Sequence, residues 1–220
     1  YNTISPSFAS AAVSPLAYYK FYAGEGGMRV PLIIAGSGLP HRGALSDAFA
    51  FVTDITPTIL AMAGVDRPDN RFGGRPVEPI IGRDLSPVLL GRAERVYDED
   101  DAVGYELAGN AALFQGDYKI VMNRMPLGDG QWHLFNIKND PGETTDLASS
   151  ESARLQRMLS AYERYQRENK VLDMPPGYGH IKQLVINTFH QQWRTPVIVG
   201  LLTALILLPF GVAYRMRRRP

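Results

Sequence analysis

The sequence predicts an α/β chain in which a small antiparallel sheet carries one packed helix and a transmembrane helix follows. Three observations predict it. Short apolar runs punctuated by turn residues between Ala102 and Ile137 precede an amphipathic stretch over Glu151–Asn169. Thr195–Tyr214 carries no charge at all. A glycine-rich turn after Lys20 leads into the apolar run Val30, Leu32, Ile33 and Ile34, as a buried strand of a larger sheet would read.

Residues 1–19 read as loop: Asn2–Pro15 is rich in Ser, Ala and Pro and has no signal-peptide pattern. The chain opens on Tyr1, and the expectation is a fragment that begins inside a longer protein. Gly24, Gly26 and Gly27 allow a sharp bend and close approach to a ligand, and Pro31 fits the start of the strand. A lysine ahead of such a turn can present its ammonium at a sheet edge. Taken on residues alone, a solvated Lys20 beside an ordinary turn is the favoured reading.

Phe49, Phe51 and Val52 suggest another short strand. Asp54 then reads as N-cap of a helix with Pro57 in its first turn and Gly64 as its stop. Arg67–Arg95 is Pro-, Gly- and Arg-rich irregular surface, with Asp66, Asp69, Glu78, Asp84 and Glu94 interleaved. That mixture argues for a solvated face over a nucleic-acid patch.

Strands follow at Ala102–Leu107, Ala111–Phe114, Tyr118–Met122 and Gln131–Ile137, with turns at Gln115-Gly116-Asp117 and Gly128-Asp129-Gly130. An antiparallel meander is the economical topology. In the following helix Leu155, Met158, Leu159, Tyr162 and Tyr165 recur at helical spacing, with Ser150 available as N-cap. Burying that stripe, worth about 1.5–3 kcal/mol per large apolar side chain, docks the helix on the meander.

The uncharged run Thr195–Tyr214 matches the ~20 residues needed to cross a bilayer. Trp193 and Tyr214 sit where aromatic side chains favour the interface. Arg215, Arg217, Arg218 and Arg219 place the C-terminus in the cytoplasm. Pro209 should kink the span without abolishing it. A buried core helix is the competing reading, but a soluble helix of this length normally shows a polar face. Ile181, Leu184, Val185, Phe189 and Trp193 share a helical face that could rest on the outer lipid surface.

With 220 residues, 45% hydrophobic and 20% charged, the chain is globular in composition. A net charge of +1 gives no reason to expect a polyanionic partner such as nucleic acid. The absence of cysteine excludes disulfides and thiolate metal sites.

Lys20 and the run Glu25-Gly26-Gly27-Met28-Arg29-Val30-Pro31 resemble the late signature of the arylsulfatases, in the alkaline-phosphatase-like superfamily. Further segments resemble the family in the same order. They are Asp54-Ile55-Thr56-Pro57-Thr58, Gly82-Arg83-Asp84-Leu85-Ser86-Pro87 (Asp84 where Ser is usual), and Trp132–Asn136 through Asp140-Pro141-Gly142-Glu143 to Asp146-Leu147 (Asp146 where Asn is commoner). The resemblance covers about residues 15–172. It implies the end of an alkaline-phosphatase-like sandwich, hydrolysis of sulfate esters with calcium and formylglycine, and contact of Lys20 with the substrate sulfate. Glu25 and Arg29 read as structural.

No proline here has Ser or Cys two positions before it, so the family's C/S-x-P-x-R nucleophile is not in this chain; the resemblance places the calcium ligands upstream too. Asp98–Asp101 reads as a solvated acidic loop, and Asp69-Asn70 lies on the wrong side of Lys20 for the family's metal pair. His41, His133, His180 and His190 are scattered, without zinc spacing. The implied organisation is 1–95 as the end of the large domain and 96–172 as the β subdomain with helix 151–169. Residues 173–194 are then a juxtamembrane linker, 195–214 the span and 215–220 a basic tail. Two alternatives stand beside the sulfatase. One is a phosphate or phosphonate monoesterase of the same superfamily; the other is a non-catalytic membrane-tethered module.

Overall fold

The computed structural model describes residues 4–40 and 43–217, with His180, Ile181, Val212, Arg215 and Arg217 described in backbone only. Expectations at His41, at Arg218 and Arg219, and at the side chains of His180, Ile181, Arg215 and Arg217 lie outside the described residues. The chain divides into two units, residues 1–171 and 172–220.

In the first unit, α1 (Pro6–Val13) replaces the loop expected there. Its start is locally encoded: Ser5 Oγ accepts from Phe8 N and Pro6 occupies the first helical turn. A short helical turn, α2 (Glu25–Met28), follows the Lys20 bend. Beyond it Val30–Ile34 does not form the buried strand that its composition suggests. Val30 is 76% and Ile33 88% exposed, and no described strand pairs with them. An extended segment is held by neighbours on both edges, and both sheets among the described residues lie elsewhere in sequence.

Phe49 and Phe51 likewise form no strand. Their rings pack on the sheet, Phe49 lying 5.2 Å from the Phe114 ring. A 3₁₀ turn at Val52–Asp54 leads into α3 (Ile55–Met62), which ends near Gly64 at φ 66°. Asp54 does not cap α3 with its side chain. Its fully buried carboxylate accepts from Phe51 N, Arg83 N and Tyr97 Oη, tying the helix start to two later segments. Thr58 Oγ1 adds a fourth tie, donating to Asp54 O and accepting from Leu85 N.

The Arg-rich segment is irregular apart from a minimal hairpin, β1 (Arg71–Phe72) with β2 (Arg75–Pro76), and the single turn α4 (Ser86–Leu89).

Four strands then form the expected meander: β3 (Ala102–Leu107), β4 (Asn110–Gln115), β5 (Tyr118–Met122) and β6 (His133–Asn136), antiparallel in that order. Alternation along the strands makes two faces. Ala111, Leu113, Ile120 and Leu134 meet Met158, Ala161 and Tyr162 of α5 (Ser152–Glu168). Ala112, Phe114, Val121 and Phe135 meet Ala23 and Ile137, with Met28, Phe49 and Phe51 around them. Helix α5 starts one residue later than expected, and Ser150 donates to Leu147 O instead of capping it.

In the second unit, α6 (His180–Thr188), a π turn at Phe189–Trp193 and α7 (Arg194–Arg217) run as one helical stretch that continues through Pro209. Its segment Lys182–Gly211 is long and apolar enough to cross a membrane, and none of its most apolar window is buried.

Candidate functional site

Lys20 sits on a tight bend. Tyr18 and Phe21 take φ values of 64° and 95°, uncommon for residues with a Cβ, and Tyr22 N donates to Tyr19 O across the lysine. Tyr22 is buried among Tyr18, Tyr19 and Phe21, with ring centroids 5.4–5.8 Å away. Lys20 itself is exposed. Among the described residues no carboxylate pairs with it.

The sheet pins this bend at several points. Asn110 Nδ2 donates to Phe21 O at 3.0 Å, and Ala23 N donates to Asn123 Oδ1 at 2.7 Å. Two residues on, Glu25 is 2% exposed and enters a buried ion cluster. Lys119 Nζ, wholly buried on β5, donates to Glu25 Oε1 at 2.9 Å and to Glu143 Oε1 at 2.8 Å. The second oxygen of Glu143 accepts from Glu25 N at 2.9 Å, and the second oxygen of Glu25 accepts from Arg29 Nε at 2.7 Å. Two carboxylates thus meet two cations, which buried charges require. Burial pushes the Glu143 carboxyl above its ordinary range, against the opposing pull of Lys119. Burial, with the charges of Asp129 and Glu143, raises the Tyr18 phenol.

Gly24, Gly26 and Gly27 serve this packing. None has positive φ, so left-handed backbone is not what they supply. A Cβ on Gly26 would collide with Tyr18 O, and one on Gly27 with Tyr22 O. The glycines let the chain fold against itself, and the structural reading of Glu25 and Arg29 agrees with their bonds.

Lys119 and Glu143 are not among the sequence candidates, although Lys119 carries a signal. Lys119 occupies an inward-facing position of an otherwise apolar strand, paired in register with Phe114 and Phe135. A lysine there demands a buried counter-charge. For Asp54 the sequence suggests only a cap, because its bonds from Arg83 N and Tyr97 Oη carry no local signature.

The remaining candidates do other work. Asp101 pairs with Arg83, which holds its carboxyl below the usual range, and its Oδ2 also accepts from Asp98 N. Asp69-Asn70 lies just before β1. His133 is clasped by Asp146 on Nδ1 (2.7 Å) and Asp129 on Nε2 (3.1 Å). His190 lies exposed in the π turn. Among the described residues no group of three His, Asp or Glu could hold a metal ion. On β3, Glu106 Oε1 is buried without a partner, and burial pushes its carboxyl up to about 7.

No protein-family model matches the chain. Among curated proteins, an uncharacterised sulfatase of Schizosaccharomyces pombe is 31% identical over 173 residues, covering 79% of this chain and 31% of that protein. An arylsulfatase of Klebsiella aerogenes is 32% identical over 84 residues, 38% of this chain and 18% of its own. Human steryl-sulfatase is 37% identical over 71 residues, 32% of this chain and 11% of its own. The chain therefore spans a third or less of the length of these relatives. Among solved structures, Ps i-CgsB in complex with k-i-k-neocarrahexaose superposes with a TM-score of 0.59 at 23% identity, over 83% of this chain and 38% of that one. That likeness speaks to fold alone.

Proposed function

We propose that this chain, a relative of the sulfatases, is the C-terminal portion of a membrane-anchored sulfuric ester hydrolase and supplies its sulfate-binding lysine, Lys20. The observation that carries the reading is an exposed ammonium, without a carboxylate partner among the described residues, on a bend whose backbone is fastened from beneath by buried charges. From that anchored backbone the flexible lysine stem can bring a point charge to a tetrahedral oxyanion and stabilise charge that shifts between oxygens during transfer. The similarity to sulfatases supports the choice of anion.

The calcium and formylglycine implied for such an enzyme are not fitted by these residues. No described cluster suits a metal, and the chain has no C/S-x-P-x-R run. No step of chemistry is therefore assigned to them. What this chain contributes is binding and orientation of the substrate anion. The proposed organisation keeps 1–95 as the end of an alkaline-phosphatase-like sandwich, 96–172 as the β subdomain and 195–214 as the membrane span.

A phosphate or phosphonate monoesterase is the second reading, because an ammonium contacts sulfate and phosphate oxygens alike. Assay of the intact protein on paired aryl sulfate and aryl phosphate esters separates the two. Lys20→Ala should lower kcat/KM on the preferred ester by about 10²-fold, the scale of one lost preorganised charge. A loss below about threefold removes Lys20 from the anion site. No turnover of either ester leaves the tethered, non-catalytic module.

A further inference from the structure

We infer that Lys119 is a positioning residue for the anion site, acting on Lys20 through Glu25. The inference rests on the reading of Lys20 given above.

Lys119 is a poor choice for stability alone. Its side chain is wholly buried, with the ammonium 5.2 Å from the Phe114 ring centroid. Apolar groups in place of Lys119 and its carboxylate partners together would fill the same space without desolvating charges, and such whole-cluster exchanges are often neutral or stabilising. What an apolar residue cannot supply is direction. Two of the N–H donors of Lys119 reach carboxylates from two segments far apart in sequence, Glu25 Oε1 and Glu143 Oε1. Glu143 in turn receives the Glu25 N–H, so Lys119 fixes the backbone of Glu25 as well as its side chain.

The same stretch of chain holds the bend a second time. Asn123, four residues beyond Lys119 and about 13 Å along an extended chain, accepts from Ala23 N. Lys119 and Asn123 therefore grip residues 25 and 23, just past the lysine at 20. With Tyr18 and Phe21 in strained conformations between these grips and α1, the bend has few ways to relax except by moving Lys20. Displacement of a binding group by about 1 Å can cost on the order of 10²-fold in rate.

The test is a double-mutant cycle in the intact enzyme, reading kcat/KM on an aryl sulfate, inhibition by inorganic sulfate, and Tm. Lys119→Met should lower kcat/KM by about tenfold or more and weaken sulfate inhibition in proportion. On a Lys20→Ala background the same change should cost less than about threefold, because the group it positions is gone. Lys119→Met leaves Glu143 buried without its cation, so Lys119→Met with Glu143→Gln serves as the charge-balanced variant. It should recover most of the Tm yet keep the weakened sulfate inhibition. Additive losses with Lys20→Ala, or sulfate inhibition restored by charge balance, overturn the inference while leaving Lys20 in place. If Lys20→Ala itself is silent, the anion-site reading fails, and this inference falls with it.

Discussion

At the scale of single residues, the His133 clasp gives the fold a pH dependence whose sign can be worked out. A neutral imidazole would turn a lone pair toward one of its two carboxylates, whereas an imidazolium donates to both. Partial burial alone would pull its pKa down, but Asp146 and Asp129 outweigh this and raise it above its ordinary value. Asp129 is lowered first by the Gln131 N–H and then by His133. Asp146 is lowered, against burial, by the N–H groups of Leu134 and Ala148 and by His133. A histidine raised on folding contributes stability that is complete below its unfolded value of about 6.5 and is lost as pH climbs through the folded one. The Tm gap between wild type and His133→Gln should therefore be widest near pH 5.5 and narrow on the alkaline side of neutrality. A gap that widens with pH would mean the ring is held neutral.

At the scale of elements, the sheet and α5 form one cooperative piece, and Gly104 shows how closely they fit. It lies on β3 beneath Tyr165, and a Cβ there would strike the ring along its Cδ1, Cε1 and Cγ atoms, not a flexible tip. Gly104→Ala should destabilise the protein by about 1–3 kcal/mol, as overpacking does, with denaturant titration as the measure. No change in midpoint would show that α5 rides loosely. This piece was also the most legible in the sequence. The Gln115-Gly116-Asp117 turn, the alternating strands and the Leu155–Tyr165 stripe are local patterns, and each element formed within a few residues of its expected bounds. Val30–Ile34 was misread because burial depends on neighbours that composition does not reveal. Phe49 and Phe51 were misread because aromatic rings suit a strand and a sheet-covering loop equally. Lys20 is a candidate through resemblance alone, whereas the buried ion cluster beside its bend joins residues 25, 119 and 143, a contact no local window contains.

At the scale of the whole molecule, the decisive question is what surrounds Thr195–Tyr214. In water its side chains would be a large liability: Leu201, Leu205, Leu208 and Phe210 are 66–74% exposed, and the most apolar window of this stretch has no buried residue. A soluble core helix would be covered by its own protein, and at about 25 cal/mol per Å² of apolar surface a bare one is costly. A bilayer removes that cost, and the uncharged run has the length to span it. Thr203 fits the same environment, since its hydroxyl donates to Val199 O within the helix and is satisfied without water. The intact protein should sediment with membranes and resist carbonate extraction, whereas ending it at Gly179 should release it to the soluble fraction. By the positive-inside rule, the orientation we propose for the basic tail after the span is a cytoplasmic C-terminus. Protease added outside sealed cells should then reach the Lys20 unit and spare a tag placed after Pro220. Recovery of the full-length protein in the supernatant without detergent, or cleavage of that tag alone, removes the anchor or inverts it.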